Sequence, residues 1–341
     1  MSKLPTKMAA EIREAPEAVE RQAKSLQRPV AELVAKLKAA PPRVVVTVAR
    51  GSSAHAATFA KHLIERRFGI PVAAAAPNIA TVYRRDLEIR GQLLLAISQS
   101  GGSDDLIEQA RSAKRSGALV VALTNTSDSP LAQISDIVLP LDAGVEESVA
   151  ATKTFVASLT AILRLVAVWN GEHALIGALA RLPERLKRAI ELDWSMALKP
   201  LAHAQSLVVI GRGPTLAIAR EAALKLKETS DLHAEAFSGA EFLHGPVALV
   251  SGRYPILMFT PPDESATGLR ALASDLRAKG AAVFTVDPGV PGALPALPPD
   301  HAEADAVCMI QSFYAMAVRL AELRGKDVDH PRHLKKVTRT R

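Results

Sequence analysis

Two turns rich in hydroxyls are the first residues of this chain with chemistry to offer. Gly51-Ser52-Ser53 and Ser98-Gln99-Ser100-Gly101-Gly102-Ser103 each follow an apolar run and lead into a stretch with helical spacing. At the carboxyl edge of a parallel sheet, such turns start helices. Their unpaired backbone N–H groups, partial positive charge and serine hydroxyls bind phosphate well. Any one serine is equally accounted for by ordinary capping or turn chemistry. Two clusters on neighbouring turns favour the anion. With neither a Walker lysine motif nor G-x-G-x-x-G, nucleotide binding is not indicated.

A second set is charged. Glu221, Lys225 and Glu228 fall at helical spacing and form one stripe beside the core positions Leu216, Ala219, Ala223 and Leu226. An exposed salt-bridged helix surface has the same pattern and contributes little. The following segment, from His233 through Glu235, Gly239 and Glu241 to His244-Gly245-Pro246, reads as a loop. Glu228 and His244 then supply a carboxylate and an imidazole, the commonest pair for moving protons. Lys336, in the basic ending, is either a solvated lysine or one able to condense with a carbonyl substrate. Residue type alone does not choose.

The elements that must position these groups alternate. Residues 8–40 read as one helix, with Ile12, Ala15, Val19, Ala23 and Leu26 on its apolar face, stopped by Pro41-Pro42. Strands are expected at 43–50, near Val72, at 93–97 and at 118–124, with helices at 54–67 and about 104–116 between them. The second half repeats the first. Leu207–Gly213 matches Val45–Gly51, Tyr254–Thr260 matches Gln92–Ser98 at the same offset, and the strand after Gly280 matches the one after Gly117 one residue later. Such register marks an internal duplication. The expected fold is α/β, with two tandem doubly wound parallel-sheet subdomains of flavodoxin-like, three-layered form. The expected organisation is an N-terminal helical segment (1–41), a phosphate-binding subdomain (42–150), a helical linker (151–200), a catalytic subdomain (201–325) and a tail over the active site (326–341). The copies differ at one turn. Ser98-Gln99-Ser100-Gly101 becomes Thr260-Pro261-Pro262-Asp263, where proline offers no N–H and aspartate repels an anion. Only the first copy suits a phosphate.

Composition narrows the classes. The chain has 341 residues, 42 Lys+Arg, 35 Asp+Glu, a formal charge of +7 and one cysteine, Cys308. That excludes an internal disulfide framework and leaves the cytoplasm as the expected compartment. The start resembles neither a signal nor a transit peptide. The apolar stretch 155–169 is short, contains Arg164 and is expected as a buried helix rather than a membrane span. Aromatics at 4% argue against stacking on single-stranded nucleic acid. The basic run after Arg324 reads as a solvated tail or an attraction for small anions, with no recognition motif for nucleic acid beside it.

Arg50-Gly51-Ser52-Ser53, Ser98-Gln99-Ser100-Gly101, Glu147 to Lys153, Ala223 to Glu228, His233-Ala-Glu235-Ala, Glu241-Phe-Leu-His244-Gly-Pro246 and Asp327-Val-Asp-His-Pro-Arg332 occur in one order. In that set the chain resembles the sugar isomerase (SIS) family, most closely the isomerase half of glucosamine-6-phosphate synthases, over nearly its whole length. The resemblance implies that Ser53, Ser98, Gln99, Ser100 and Ser103, with Gly51 and Ser52 beside them, hold a sugar 6-phosphate. It implies that Glu228 moves a proton between C1 and C2, with Lys225 beside the reacting hydroxyls. It further implies that His244 opens the ring from the neighbouring subunit of a homodimer, and that Lys336 can form an imine with the ketose. No cofactor, metal, nucleic acid or membrane is implied. Ala151 stands where the synthases have a sugar-contacting serine, and the ending Val337–Arg341 differs from theirs. The synthases' glutaminase cysteine has no counterpart here. The expectation is therefore the deaminase branch, converting glucosamine 6-phosphate to fructose 6-phosphate and ammonia. Its alternatives are an enzyme for another hexosamine 6-phosphate, such as galactosamine 6-phosphate, and a non-catalytic sugar-phosphate sensor.

Overall fold

The computed structural model describes residues 6–336. Residues 337–341, whose sequence departs from the synthases, lie outside the described residues. The chain forms two compact units that interleave in sequence. One holds Glu17–Glu146, Lys153–Leu179 and the chain from Lys335; the other holds the residues up to Pro16, Glu147–Thr152 and Ala180–Leu334.

The first of these units is built on five parallel strands, β1 (Val45–Ala49), β2 (Val72–Ala74), β3 (Leu93–Ile97), β4 (Leu119–Thr124) and β5 (Ile137–Pro140), in the order β2-β1-β3-β4-β5. This is the flavodoxin-like order, and it places the loops after β1, β3, β4 and β5 on one edge. β3 is buried along its whole length, which is why its sequence is an unbroken apolar run rather than an alternating one. Val46, Val48, Leu94, Ala96 and Val120 pack against Leu106, Ile107 and Ala110 of the helix Asp104–Arg115. The apolar stretch 155–169 is inside the buried helix Lys153–Asn170, packed on the helix Gly51–Phe68.

The other unit has four parallel strands, β6 (Ser206–Gly211), β7 (His233–Ser238), β8 (Pro255–Phe259) and β9 (Ala282–Val286), in the order β7-β6-β8-β9. The duplication survives in the pairing register. Val45 opposite Val72 recurs as Leu207 opposite Ala234. Val46 opposite Leu94 recurs as Val208 opposite Ile256, and Leu94 opposite Val120 as Ile256 opposite Val283. The fifth strand of the second copy has shrunk to one parallel bridge between Val286 and Leu294.

Two expectations need correction. The single helix over 8–40 is two, Lys7–Ser25 and Gln27–Ala39, parted at Leu26. In a continuous helix the Pro29 ring would meet the carbonyl of Ser25, so the chain restarts with Pro29 in a first turn, where proline is tolerated. Pro16 is kept inside the first helix because the carbonyl that it orphans, that of Ile12, accepts from Gln311 Nε2 at 2.7 Å. The segment after His233 is not simply a loop. Its first six residues are the edge strand β7, followed by the short helix Gly239–Leu243. Charged and half-buried residues suit an edge strand exposed on one side.

Among the described residues, two helices are long and apolar enough to cross a membrane, Lys153–Asn170 and Ala302–Leu323, and most of each is buried within the fold.

Candidate active site

The serine turns lie where the sequence puts them, side by side at the carboxyl ends of the paired strands β1 and β3. Gly51, with φ +52°, opens the helix Gly51–Phe68, and Ser52 and Ser53 sit half-buried in its first turn. Neither that helix nor Asp104–Arg115 has a side-chain cap at its N-cap residue, Arg50 and Ser103 respectively. At the second of these helix starts a first-turn side chain does the capping instead, Asp105 Oδ1 taking Leu106 N at 2.9 Å. Ser98 is buried and its Oγ accepts from Gly101 N at 3.2 Å; Ser100 Oγ accepts from Gly102 N at 3.3 Å. Gly101 has φ +61°, and a Cβ there would lie 2.1 Å from Ser129 Oγ, so any other residue would strain the backbone and displace Ser129. Arg50 ties the two helix starts together. Its Nε and one terminal nitrogen reach Asp105 Oδ2 at 3.0 and 2.9 Å, while Asp105 Oδ1 accepts from Leu106 N.

From Gln99 a chain of bonds runs along the same edge. The Gln99 carbonyl accepts from Asn125 N at 3.0 Å. The Asn125 side chain accepts from Ala143 N and donates to Gly144 O, both at 2.8 Å. Two residues on, the Glu146 side chain is fully buried at the start of the helix Lys153–Asn170. It accepts from Thr154 N at 3.1 Å, from Thr154 Oγ1 at 2.7 Å and from Lys336 Nζ at 2.9 Å. Asn125 and Glu146 were not legible as site residues in the sequence. The only hint was the polar residue directly after a buried strand.

The matching turn of the second copy is filled by its own side chains. Thr215, at the position of Ser53, is fully buried with Oγ1 2.8 Å from the Phe259 carbonyl. Asp263 Oδ1 accepts from Ser265 N at 2.8 Å and Ser265 Oγ at 2.6 Å just ahead of the helix Ala266–Ala278. A resident carboxylate occupies the place where the first copy leaves amides and hydroxyls.

The charged stripe lies on the helix Thr215–Ser230, and it is not a solvated surface. Glu221 and Lys225 have side-chain exposures of 0% and 1%, and Glu228 of 20%. Lys225 Nζ lies 3.4 Å from Glu221 Oε1 and donates to the Glu228 carboxylate. Tyr314, from the buried helix Ala302–Leu323, adds its hydroxyl 3.2 Å from Glu221 Oε1. A buried ammonium between two carboxylates leaves one of them, Glu228, open at its outer side. Tyr314 escaped sequence reading because it reads as one more aromatic of the core beside Phe313. His244 is exposed at the end of the helix Gly239–Leu243, with the exposed Leu243 and Leu249 nearby in sequence. Ala151 is half-buried in the same unit as Glu228, Lys225 and His244. The serine turns and Lys336 belong to the other unit.

The basic ending is structured up to Lys336. Arg324 donates to the carbonyls of Ser230 at 2.7 Å, Ala202 at 2.8 Å and Ala204 at 3.0 Å. Asp231, in the left-handed conformation that ends the helix bearing Glu228, pairs with Lys326 at 2.7 Å and with Arg332. Lys326 first, then Arg332, hold its carboxyl below the ordinary range. Asp329 accepts from Lys7 N and Met8 N at 2.8 and 2.9 Å, capping the first helix. These contacts tie Arg324, Lys326, Asp329 and Arg332 to the fold, while Asp327, His330 and Arg332 keep largely exposed side chains. Cys308 is buried and its thiol is pushed up to about 12 by burial, so it is no nucleophile. No cluster suited to a metal ion exists among the described residues.

The SIS domain model matches residues 40–168 and 200–291, both copies of the duplication. The chain belongs to the SIS domain family. This SIS protein is 34% identical over 317 residues to the isomerizing glutamine–fructose-6-phosphate aminotransferase of Symbiobacterium thermophilum, covering 86% of this chain and 51% of that one. It spans about half the length of the curated relatives it matches. A crystal structure from Silicibacter pomeroyi DSS-3, described as a candidate phosphosugar isomerase, is 44% identical, with a TM-score of 0.91 over 95% of this chain and 100% of that chain. The C-terminal domain of glucosamine-fructose-6-phosphate aminotransferase from Francisella tularensis is 27% identical, with a TM-score of 0.84 over 96% and 99% of the two chains.

Proposed function

We propose that this SIS protein acts on amino-sugar 6-phosphates as an aldose–ketose isomerase and deaminase, with glucosamine 6-phosphate giving fructose 6-phosphate and ammonia. The observation that carries the reading is the Glu221–Lys225–Glu228 set. A pure binder has no use for a buried cation that fixes a half-open carboxylate, whereas proton transfer does.

The 6-phosphate is bound by the hydroxyls and helix-start amides of Ser53, Ser98, Gln99, Ser100 and Ser103, which prepays much of the orientation entropy at the reacting end. His244, supplied by the neighbouring subunit of a homodimer, assists ring opening. Glu228 removes the C2 proton and returns it at C1. Lys225 stabilises the negative charge that develops on the intermediate. With an amine on C2 the product of this shift is a ketimine, which water hydrolyses to ketose and ammonia. With a hydroxyl on C2 the same shift gives the ketose directly. The substrate carries its own carbonyl, so the scheme uses no cofactor. Such a reaction on a soluble phosphosugar suits the cytoplasm.

Ala151 supports a second substrate reading. Loss of a hydroxyl there suits an epimer such as galactosamine 6-phosphate. An ammonia-release assay over a panel of hexosamine 6-phosphates tests both. Turnover of one of them supports the proposal; binding without turnover would make the protein a sensor.

A further inference from the structure

We infer that Glu146 is a positioning residue that holds Lys336 as a fixed ammonium at the phosphate-binding edge, where it serves the reaction as a cation rather than as an imine-forming amine. The inference rests on the reading above for its substrate class and adds a role to the same site.

Three observations support it. First, the Glu146 carboxylate is itself fixed. Its side chain is fully buried and takes the backbone N–H and the hydroxyl of Thr154 at the N-terminus of an 18-residue helix. Second, Lys336 Nζ meets that carboxylate at 2.9 Å with its side chain only 24% exposed. An ammonium donating to a carboxylate is the form that such a contact holds. A nucleophilic amine needs a partner that takes a proton away, and a carboxylate already engaged by two donors is a poor acceptor for it. Third, Glu146 follows β5 on the same sheet edge as the serine turns, and Asn125 links that loop to Gln99 by hydrogen bonds. The cation is therefore built into the edge that takes the phosphorylated sugar. A fixed positive charge there neutralises the phosphate or the developing oxyanion without any covalent step.

The test compares Lys336→Arg, Lys336→Met, Glu146→Gln and Glu146→Asp in the full chain. Each is assayed for turnover of glucosamine 6-phosphate, and intact mass is measured after borohydride treatment with fructose 6-phosphate. Arginine keeps the charge but forms no imine under these conditions. Lys336→Arg should retain roughly a tenth or more of the wild-type rate, whereas Lys336→Met should lose about 100-fold. Glu146→Gln should fall in kcat more than in apparent affinity, Glu146→Asp should recover part of that loss, and the wild type should gain no reduced sugar adduct. A borohydride-fixed adduct on Lys336, with Lys336→Arg as inactive as Lys336→Met, would overturn the inference while leaving the reading of function intact. If the wild type binds fructose 6-phosphate but turns nothing over, the functional reading fails instead. The variants are then ranked by calorimetric binding, where equal affinity in Lys336→Arg and Lys336→Met would sink the inference. Absence of both binding and turnover removes the two together.

Discussion

The carboxylate of Asp231 is paired with the guanidinium of Arg332, and this contact pins the end of the helix that carries Glu228 to the basic segment that follows Arg324. Lys326 holds the same carboxylate, and Arg324 holds the Ser230 carbonyl. The last turn of the helix, with Glu228 in it, is thereby clasped from outside.

The clasp has a pH signature. The folded Asp231 carboxyl lies below its ordinary value of 3.8. Its contribution to stability is therefore present above that value and is lost as pH falls through the lower folded value. Asp231→Asn should lower Tm most near neutral pH, and the gap from wild type should close as the medium becomes strongly acidic. A Tm deficit that stays constant down to pH 2 would remove the ionic role.

Lys225 is a buried charge held between two carboxylates, one of them fully buried. Lys225→Met should destabilise the protein by about 3–5 kcal/mol, because Glu221 loses its cation while remaining fully buried. Glu221→Gln combined with Lys225→Met should recover part of that loss. Denaturant unfolding of both variants decides it, and a surface-sized effect of less than about 1 kcal/mol would return the stripe to an exposed helix face.

Gly101→Ala should be far costlier than Gly69→Ala. Both glycines have positive φ, but a Cβ at Gly69 meets open space and one at Gly101 meets Ser129 Oγ at 2.1 Å. The first change should deform the Ser98–Ser103 turn and weaken sugar-phosphate binding. The second should cost only about 1 kcal/mol of backbone strain. Paired Tm and binding measurements check this.

Phosphate anchoring predicts an effect on KM. Ser98→Ala with Ser100→Ala should raise KM for the phosphorylated sugar by roughly 10- to 100-fold with a smaller change in kcat, since the removed bonds are alike in ground and transition states. Asp263→Asn, in the filled turn of the second copy, should leave KM where it is. Equal rates with and without the 6-phosphate would contradict the anchor.

The fold was legible because buried parallel strands write themselves as apolar runs, and the duplication repeats those runs in register. Strand pairing such as Val208 opposite Ile256 follows directly from Val46 opposite Leu94. The helix break at Leu26 was missed because apolar periodicity ran through it, and Pro29 was the signal to heed. Ser98, Lys225 and Glu228 were legible as types at spacings. The burial of Lys225 was not, because its helix is covered by the helix Ala302–Leu323, whose Tyr314 reaches Glu221 from about ninety positions away in sequence through tertiary packing. Glu146 was passed over for the same reason, since its partners come from Thr154 and from Lys336 near the far end of the chain.

Glu228→Gln tests the central claim most directly. Wild type and variant are given glucosamine 6-phosphate, and ammonia release is followed beside calorimetric binding of fructose 6-phosphate. The account predicts a loss of turnover of at least about 1,000-fold with binding kept within roughly tenfold, because only an interaction made in the transition state is removed. Ammonia release by the variant near the wild-type rate, or binding lost as completely as turnover, would contradict it.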